Sequence, residues 1–160
     1  MKVGIDWGGT KIEGIVLEPS TGKELLRKRV DAPKDNYVEI INKVCELITD
    51  ISSKYNNFTV GIGMPGSLHP KTGQVQVSNT KALEGQNVKN DLEKKLGFEI
   101  RIANDADCLA VSESIDGSGM NYDSVFAVIL GTGVGAGYSF RKQLVAVSYT
   151  HLTLPTILLV

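Results

Sequence analysis

The sequence predicts an α/β domain built on a mixed β-sheet with helices on its faces. Three apolar segments near the start, Lys2–Ile5, Ile12–Leu17 and Glu24–Val30, are joined by short turns, which favours antiparallel strands. Helical patterns separate the later apolar segments, which favours parallel strands. With 160 residues, of which 42% are hydrophobic, the chain is long enough for one domain with a core.

Local signals define the elements in the first part of the chain. Residues Pro19–Gly22 have the composition of a turn between the second and third strands. Asn36–Glu39 has the pattern of a capping box, and apolar residues at helical spacing continue to Ile51, so a helix is predicted there. Phe58–Met64 is a short apolar strand that ends at a Pro-Gly pair.

The remaining elements complete the order βββαβαβα, which two more strands follow. They are a hairpin around Gly73–Val77, a helix over Asn87–Leu96 ended by Gly97, a strand over Glu99–Ala103, a helix over Asp105–Ser114, and strands over Ser124–Leu130 and Gly133–Phe140. The sequence contains no internal repeat and no interdomain linker.

Charge and cysteine content exclude several classes of partner. The formal net charge is −1, so the composition does not suggest a surface for nucleic acid or for a membrane. Cys45 and Cys108 are far apart and form neither a metal-binding nor a disulfide pattern, which fits a reducing compartment. The sequence shows no apolar leader and no long apolar run, so we expect a cytoplasmic protein with no nucleic-acid or membrane partner.

Two glycine-rich segments, Asp6–Lys11 and Gly131–Gly137, each follow an apolar strand and each contain a Gly-Thr pair. Glycine lets backbone N–H groups approach a phosphate closely. Thr10 and Thr132 add hydroxyl donors, and Lys11 adds a positive charge. For either segment alone a glycine-rich hairpin is an equal alternative, but the two together favour a paired phosphate clamp.

Polar residues at strand ends give a third signal. Asn104 and Asp105 stand where a strand ends and a helix begins. One explanation is a helix N-cap, because Asn and Asp are favoured there. However, ligands of α/β sheets bind at the carboxyl ends of strands, where a carboxylate can act as a general base toward a hydroxyl. Asp6, at the end of the first strand, is placed to hold Mg²⁺ through water.

Four stretches carry a resemblance to a known family. They are GIDWGGTK at 4–11, GIGMPGSLHPKTG at 61–73, ANDADCLAVSE at 103–113 and FAVILGTGVGAG at 126–137. In this order they resemble the ROK family of repressors, uncharacterised reading frames and sugar kinases, from residue 1 to about residue 144. Within the family the chain is most similar to bacterial fructokinases and mannokinases, with N-acetylglucosamine kinase as a near relative.

The resemblance implies a mixed-sheet ATPase domain of the actin, hexokinase and ribonuclease H-like type. It also implies ATP-dependent phosphorylation of a hexose, most closely fructose to fructose 6-phosphate, with ATP and Mg²⁺ as cofactors. By the same resemblance Asp105 is the catalytic base and Asn104 binds a sugar hydroxyl. Gly66 and Asn79 are weaker candidates for sugar contact, since each is equally well explained as a turn residue.

The resemblance also places two sets of residues at the phosphates of ATP, with Asp6 holding Mg²⁺ through water. They are Gly4, Ile5, Asp6, Trp7, Gly8, Gly9, Thr10 and Lys11 from the first segment, and Gly131, Thr132, Gly133, Val134, Gly135, Ala136, Gly137 and Tyr138 from the second.

Two departures from the family pattern limit what the resemblance implies. The family usually has Asn where Asp107 stands. A second carboxylate close to the base could raise the pKa of the pair, and the alternative is that Asp107 simply points into solvent. The family's second lobe, with further sugar ligands, a structural Zn²⁺ site and an adenosine-binding loop, has no counterpart in the sequence. We therefore expect residues 1–146 to be the N-terminal lobe of a truncated kinase, inactive alone, whose full-length parent can form a homodimer.

Residues 147–160 resemble no part of the family. This stretch, VSYTHLTLPTILLV, carries no charged residue apart from whatever His151 contributes, and it resembles translated sequencing-adapter read-through. A divergent final strand is the alternative interpretation. We therefore expect a non-native tail.

Two other functions are open for the parent protein. One is a sugar-responsive ROK repressor, which would carry a DNA-binding arm ahead of this domain. The first strand begins at Lys2, which leaves no room for that arm. The other is a sugar-binding module without catalysis, against which the presence of Asp105 argues.

Overall fold

In a computed structural model of the chain, which describes residues 1–130 and 134–145, the elements follow the predicted order closely. The strands are β1 (Lys2–Trp7), β2 (Lys11–Leu17), β3 (Glu24–Asp31), β4 (Thr59–Met64), β5 (Ser67–Leu68), β6 (Val75–Val77), β7 (Arg101–Asn104), β8 (Ser124–Leu130), β9 (Val134–Phe140) and β10 (Gln143–Leu144). The helices are α1 (Tyr37–Ser52), α2 (Val88–Leu96) and α3 (Asp105–Ile115), with a 3₁₀ turn at Lys81–Leu83. The chain forms two compact units, Met1–Asp105 and the part that begins at Ala106.

The first unit contains a five-stranded mixed sheet in the order β3-β2-β1-β4-β7. The first three strands pair antiparallel, whereas β1, β4 and β7 pair parallel, so both pairing predictions are confirmed. In the register, Asp6 lies opposite Gly63, and Met64 lies opposite Asn104. The carboxyl ends of three parallel strands therefore meet at one edge of the sheet.

The core of the first unit lies between the sheet and α1. Alternate residues of β1 point into this core, and Trp7 is only 1% exposed. Helix α1 packs against β1, β2 and β3 and also contacts α2. Asn36 caps α1 by accepting hydrogen bonds from the N–H groups of Val38 and Glu39, as the capping-box pattern predicts. Gly97 ends α2 with a φ of 79°, a left-handed conformation that favours glycine.

The second unit contains a three-stranded antiparallel sheet in the order β10-β9-β8 and most of α3. Its interior includes the hydroxyl groups of Ser114 and Ser139, which are hydrogen-bonded at 2.9 Å. The start of helix α3 packs closely against β9 at Gly137. A Cβ atom added at Gly137 would stand only 2.2 Å from the carbonyl oxygen of Ala106, which leaves no room for a side chain. Glycine at this position permits the close approach of the two backbones.

Several predicted bounds differ from the structure by one or two residues. The strand expected from Glu99 begins at Arg101, and the helix expected to end at Ser114 reaches Ile115. The predicted hairpin around Gly73–Val77 is β6 paired with the very short β5, and the 3₁₀ turn after it was not predicted. Among the described residues, no helix is both long and apolar enough to cross a membrane.

Candidate functional site

The sheet register gathers sequence-predicted site residues of the first unit at one edge. Asp6 is near the end of β1, Gly66 follows β4 directly, and Asn104 ends β7. Asp105 comes next and begins α3. Since β1, β4 and β7 are parallel neighbours, this edge carries the carboxyl ends where α/β sheets bind their ligands.

The first glycine-rich segment is a tight turn between β1 and β2. The N–H of Gly8 donates a hydrogen bond of 2.9 Å to the carbonyl oxygen of Lys11, which closes the turn. A Cβ atom added at Gly9 would meet nothing within 4 Å, so the backbone there is open to an approaching group. The first glycine-rich segment is thus the turn of a β-hairpin, which was one of the two predicted interpretations. Its exposed tip at Gly9 leaves room for a phosphate.

Lys11 has a partner that the sequence pattern did not indicate. Its ammonium group donates to the carboxylate of Asp31, which lies opposite it on β3. The side chains of Lys11 and Asp31 are 56% and 85% exposed, so the ion pair is weak. The Lys11 hydrogen bond lowers the pKa of Asp31, which therefore stays ionised. A bound phosphate would have to compete with this carboxylate for Lys11.

The first set of predicted phosphate residues is divided between strand β1 and the turn that follows it. Gly4 and Ile5 lie inside β1, which is paired on both sides, and the side chain of Ile5 is buried. Trp7 is buried as well. Strand pairing already uses the backbone of Gly4 and Ile5, and the core already holds the side chain of Trp7, so their contact with the phosphates stays a prediction. The candidates that remain at the turn are Gly8, Gly9, Thr10 and Lys11.

The second set of predicted phosphate residues begins outside the described residues and continues into β9. Val134, Gly135, Ala136, Gly137 and Tyr138 belong to β9 and pair with β8, which confirms the strand predicted over Gly133–Phe140 from Val134 onward. Their contact with the phosphates stays a prediction. Gly137 is explained by its close approach to Ala106 of α3, and a Cβ atom added at Gly135 would lie 3.3 Å from the Cβ of the same alanine. Gly131, Thr132 and Gly133 lie outside the described residues. That the two glycine segments bracket one nucleotide therefore stays a prediction.

Asp6 lies in an electrostatic environment that favours a cation. Partial loss of hydration raises its pKa, and the negative charges of Asp105 and Glu13 raise it further, whereas Arg29 lowers it. Because the side chain of Asp6 is exposed, water weakens these interactions. A carboxylate whose pKa is raised by desolvation and by a neighbouring negative charge is a typical feature of functional sites.

Glu13, the cross-strand neighbour of Asp6, is hydrogen-bonded to two arginine side chains. Its carboxylate accepts hydrogen bonds from Arg27 and Arg29, and the Arg27 bond is the larger cause of its lowered pKa. Asp6, Glu13 and Arg29 are register partners across β1, β2 and β3. Glu13 thus belongs to a structural ion cluster that lies next to the candidate site.

The donor chemistry at Asp6 fits Mg²⁺. This ion is usually held by one or two carboxylates together with substrate phosphates and water, rather than by an all-protein cage. Within residues 1–130 and 134–145, no group of three or more His, Cys, Asp or Glu side chains forms a metal cluster. Asp6, with its raised pKa and the nearby charge of Asp105, is the residue suited to this water-mediated role.

The predicted sugar residues are linked by hydrogen bonds. The side-chain amide of Asn104 donates to the carbonyl oxygen of Gly66 at 2.9 Å. The neighbouring carbonyl, that of Pro65, accepts a bond of 3.0 Å from the hydroxyl of Ser78. Asn79 follows Ser78 and is exposed. Asn104 is thus hydrogen-bonded to the Gly66 turn, and Asn79 adjoins the same turn through Ser78.

Gly66 has a conformation that other residues adopt only with strain. Its φ is 111°, and a Cβ atom there would stand 2.3 Å from the carbonyl oxygen of Val77. The turn after β4 is thus packed tightly against the end of β6. Ser78, which joins the two, was missed by sequence reasoning, because a lone serine between strand and turn gives no periodic signal.

Comparisons with known proteins find similar sequences and similar solved structures. The sequence model of the ROK family matches residues 2–146. The N-acetyl-D-glucosamine kinase of Pasteurella multocida is 40% identical over 144 residues, which cover 89% of this chain and 47% of that protein. The chain thus spans about half the length of the curated relatives it matches.

Two solved structures show similar folds. A ROK family glucokinase from Streptomyces griseus, in complex with glucose and AMPPNP, is 29% identical with a TM-score of 0.80, over 89% of this chain and 45% of that one. A ROK family transcriptional regulator, a homologue of the E. coli Mlc protein, has a TM-score of 0.75 at 17% identity, over 89% of this chain and 37% of that one. At that identity the second comparison supports the fold alone. The fold is the actin-like ATPase fold, as expected from the sequence.

Proposed function

Because the chain belongs to the ROK family, we propose that it is the N-terminal lobe of a kinase that transfers the γ-phosphoryl group of ATP to a hexose. The observation that carries the proposal is the meeting of Asp6, the Gly66 turn and Asn104 at one edge of the sheet, directly before Asp105. We propose residues 1–146 as this lobe and residues 147–160 as a tail outside it.

In this proposal Asp105 accepts the proton of the attacking sugar hydroxyl. A base at this place needs to lie within hydrogen-bond reach of the hydroxyl, and the first turn of α3 fixes its backbone. Asn104 and Asn79 orient the sugar, and the Gly66 turn supports them. Phosphoryl transfer depends on positioning and on neutralising charge more than on covalent chemistry, so these orienting contacts are central.

The phosphates of ATP are assigned to the turn between β1 and β2. The N–H groups near Gly9 and the hydroxyl of Thr10 are suited to donate to phosphate oxygens, and Lys11 supplies positive charge. Asp6 would hold Mg²⁺ through water, and this ion, when bound, neutralises charge that develops on the phosphates. The AMPPNP complex of the Streptomyces griseus glucokinase supports ATP as the donor.

The identity of the hexose is the finer part of the proposal. The sequence predicts fructose, but the relative at 40% identity is named an N-acetyl-D-glucosamine kinase. We therefore place N-acetylglucosamine ahead of fructose, which stays in the test as the competing prediction. The two sugars differ in ring form and in the acetamido group, so a direct competition distinguishes them.

A ROK transcriptional regulator is the second candidate, because the ROK family includes repressors as well as sugar kinases. A regulator needs to bind a sugar but needs no general base. The carboxylate of Asp105 at the end of β7 therefore favours the kinase.

A substrate panel tests the proposal on the full-length parent protein. ADP release is measured with ATP and Mg²⁺ in the presence of N-acetylglucosamine, N-acetylmannosamine, glucose, mannose or fructose. We expect release that depends on one hexose, with N-acetylglucosamine giving the highest kcat/KM. Sugar binding without any sugar-dependent ADP release would replace the kinase by the regulator or by a binding module.

A further inference from the structure

We infer that Ser78 is a positioning residue of the proposed sugar site, and that Glu84 supports it. This inference rests on the proposed function, since it explains how the sugar-orienting segment is held. Ser78 is 3% exposed and lies between the end of β6 and the 3₁₀ turn. Neither residue is among the predicted site residues.

The hydroxyl of Ser78 joins two chain segments. It donates to the carbonyl oxygen of Pro65 at 3.0 Å and accepts the N–H of Thr80 at 3.1 Å. The first bond fixes the turn that contains Gly66, and the second fixes the backbone on the far side of Asn79. A single buried hydroxyl therefore connects two of the three candidate sugar residues.

The backbone of Ser78 is held by a second group. Its N–H donates to the carboxylate of Glu84 at 3.1 Å, and the same oxygen accepts from the ammonium group of Lys81 at 2.8 Å. The Lys81 bond, followed by the bond from the Ser78 N–H, lowers the pKa of Glu84. Glu84 thus stays ionised, and its carboxylate holds the backbone at Ser78 in place.

These bonds confine Asn79 from both sides. Ser78 and Thr80 are both buried, with 3% and 9% of their surface exposed, whereas Asn79 between them is exposed. An exposed residue between two anchored neighbours has a fixed backbone and a side chain available to a ligand. Such an arrangement lowers the conformational entropy that would be lost when the sugar binds.

The remaining candidate joins the same framework through the Gly66 turn. Asn104 donates to the carbonyl oxygen of Gly66, next to the carbonyl that Ser78 holds. A Cβ atom added at Gly66 would lie 3.0 Å from the Cβ of Ser78, so the two residues are already in close contact. Loss of the Ser78 hydroxyl should therefore loosen the turn and Asn79 together.

The test compares variants of the full-length parent by steady-state kinetics with the preferred hexose and with ATP varied separately. Ser78→Ala leaves the Pro65 carbonyl and the Thr80 N–H without a partner. We expect its KM for sugar to rise about tenfold, equivalent to about 1.4 kcal/mol, while the KM for ATP stays within about twofold. Ser52→Ala, which changes a serine of α1 with 4% of its surface exposed, is the matched control and should leave both values unchanged.

A second pair of variants, at Glu84, distinguishes the positioning role from a general loss of protein stability. The side chain of Glu84 is 32% exposed, so substitutions there are tolerated more easily. Glu84→Ala removes the acceptor of the Ser78 N–H and should raise the KM for sugar, whereas Glu84→Gln keeps an amide oxygen there and should restore it. If Glu84 only stabilised the fold, Glu84→Ala would raise the KM for ATP together with the KM for sugar. A change in the KM for sugar alone, reversed in Glu84→Gln, therefore indicates positioning.

Each outcome has one interpretation. An unchanged KM for sugar in both Ser78→Ala and Glu84→Ala overturns the positioning role while the kinase proposal stands. An equal rise in the KM for sugar and the KM for ATP also overturns it, because that result shows general loosening. If the wild-type protein phosphorylates no hexose, the proposed function itself fails, and the positioning role fails with it.

Discussion

At the scale of single residues, Asp105 is the carboxylate whose role the proposal most depends on. Asp105→Asn keeps the size of the side chain but cannot take up a proton. We expect kcat of the full-length parent to fall about 10²–10⁴-fold, the usual contribution of a general base, while sugar affinity measured by calorimetry changes little.

A neighbouring residue supplies the control for this prediction. Asp107→Asn introduces the residue that is usual in the family at that position and removes the same charge. Its kcat should stay within a few fold of the wild type. If Asp105→Asn keeps a near-wild-type kcat, or if both variants lose activity equally, Asp105 is not the base.

Residue-scale chemistry was predictable where polar side chains interrupt an apolar pattern. Asn104 and Asp105 stand out after a strand, and the structure places Asn104 at the edge where the carboxyl ends of the parallel strands meet. Their roles toward a ligand stay predictions. Ser78 and Asp31 gave no such signal, because their roles depend on partners that are distant in sequence. Only the fold brings Ser78 to Pro65, or Asp31 to Lys11.

At the scale of elements, short-range rules were enough for most of the first unit. The capping residue Asn36, the glycine after α2 and the turns between the leading strands all act locally, and their elements formed as predicted. The strand over the second glycine segment was predicted as well, but the structural reason for its glycines was not. In the structure Gly135 and Gly137 serve a helix–strand contact, which a sequence pattern cannot distinguish from a phosphate loop.

The contact between α3 and β9 yields an element-scale prediction. A methyl group at Gly137 would stand 2.2 Å from the Ala106 carbonyl oxygen and 2.8 Å from the Asp107 Cα, so the start of α3 has to move. Overpacking of this kind costs about 1–3 kcal/mol. Gly137→Ala should therefore lower the melting temperature of the full-length parent and speed amide hydrogen exchange over α3.

The next residue on the same face of β9 provides the comparison. A methyl group at Gly135 would lie 3.3 Å from the Ala106 Cβ, a much milder contact than the one at Gly137. Gly135→Ala should therefore be clearly less destabilising. Equal melting temperatures and exchange rates for the two variants would show that α3 does not rest on β9 as the structure describes.

At the scale of the whole molecule, the chain spans about half the length of its curated relatives. The described part of the second unit also exposes a row of apolar side chains, since Phe126, Val128 and Leu130 on alternate positions of β8 are 56%, 42% and 78% exposed. Contiguous apolar surface of this kind is normally covered in a soluble protein. We therefore expect purified residues 1–160 to associate or to have low solubility.

The last prediction is that residues 1–160 alone do not phosphorylate a sugar, although the full-length parent does. The proposed base, sugar residues and first phosphate turn are all present, so the missing factor would be positioning rather than chemistry. Well-oriented reactants gain about 7–11 kcal/mol from being held together, and a sugar and nucleotide held from one side only would lose most of this advantage.

The measurement is sugar-dependent ADP release by purified 1–160 with ATP and Mg²⁺ across the hexose panel, beside the full-length parent at equal concentration. Circular dichroism of 1–160 is recorded first, so that inactivity is assigned to a folded chain. The Asp105→Asn variant of 1–160 sets the background from contaminating kinases. Release above that background at a rate close to that of the parent would show that one lobe is sufficient, and the proposed division at residue 146 would have to be abandoned.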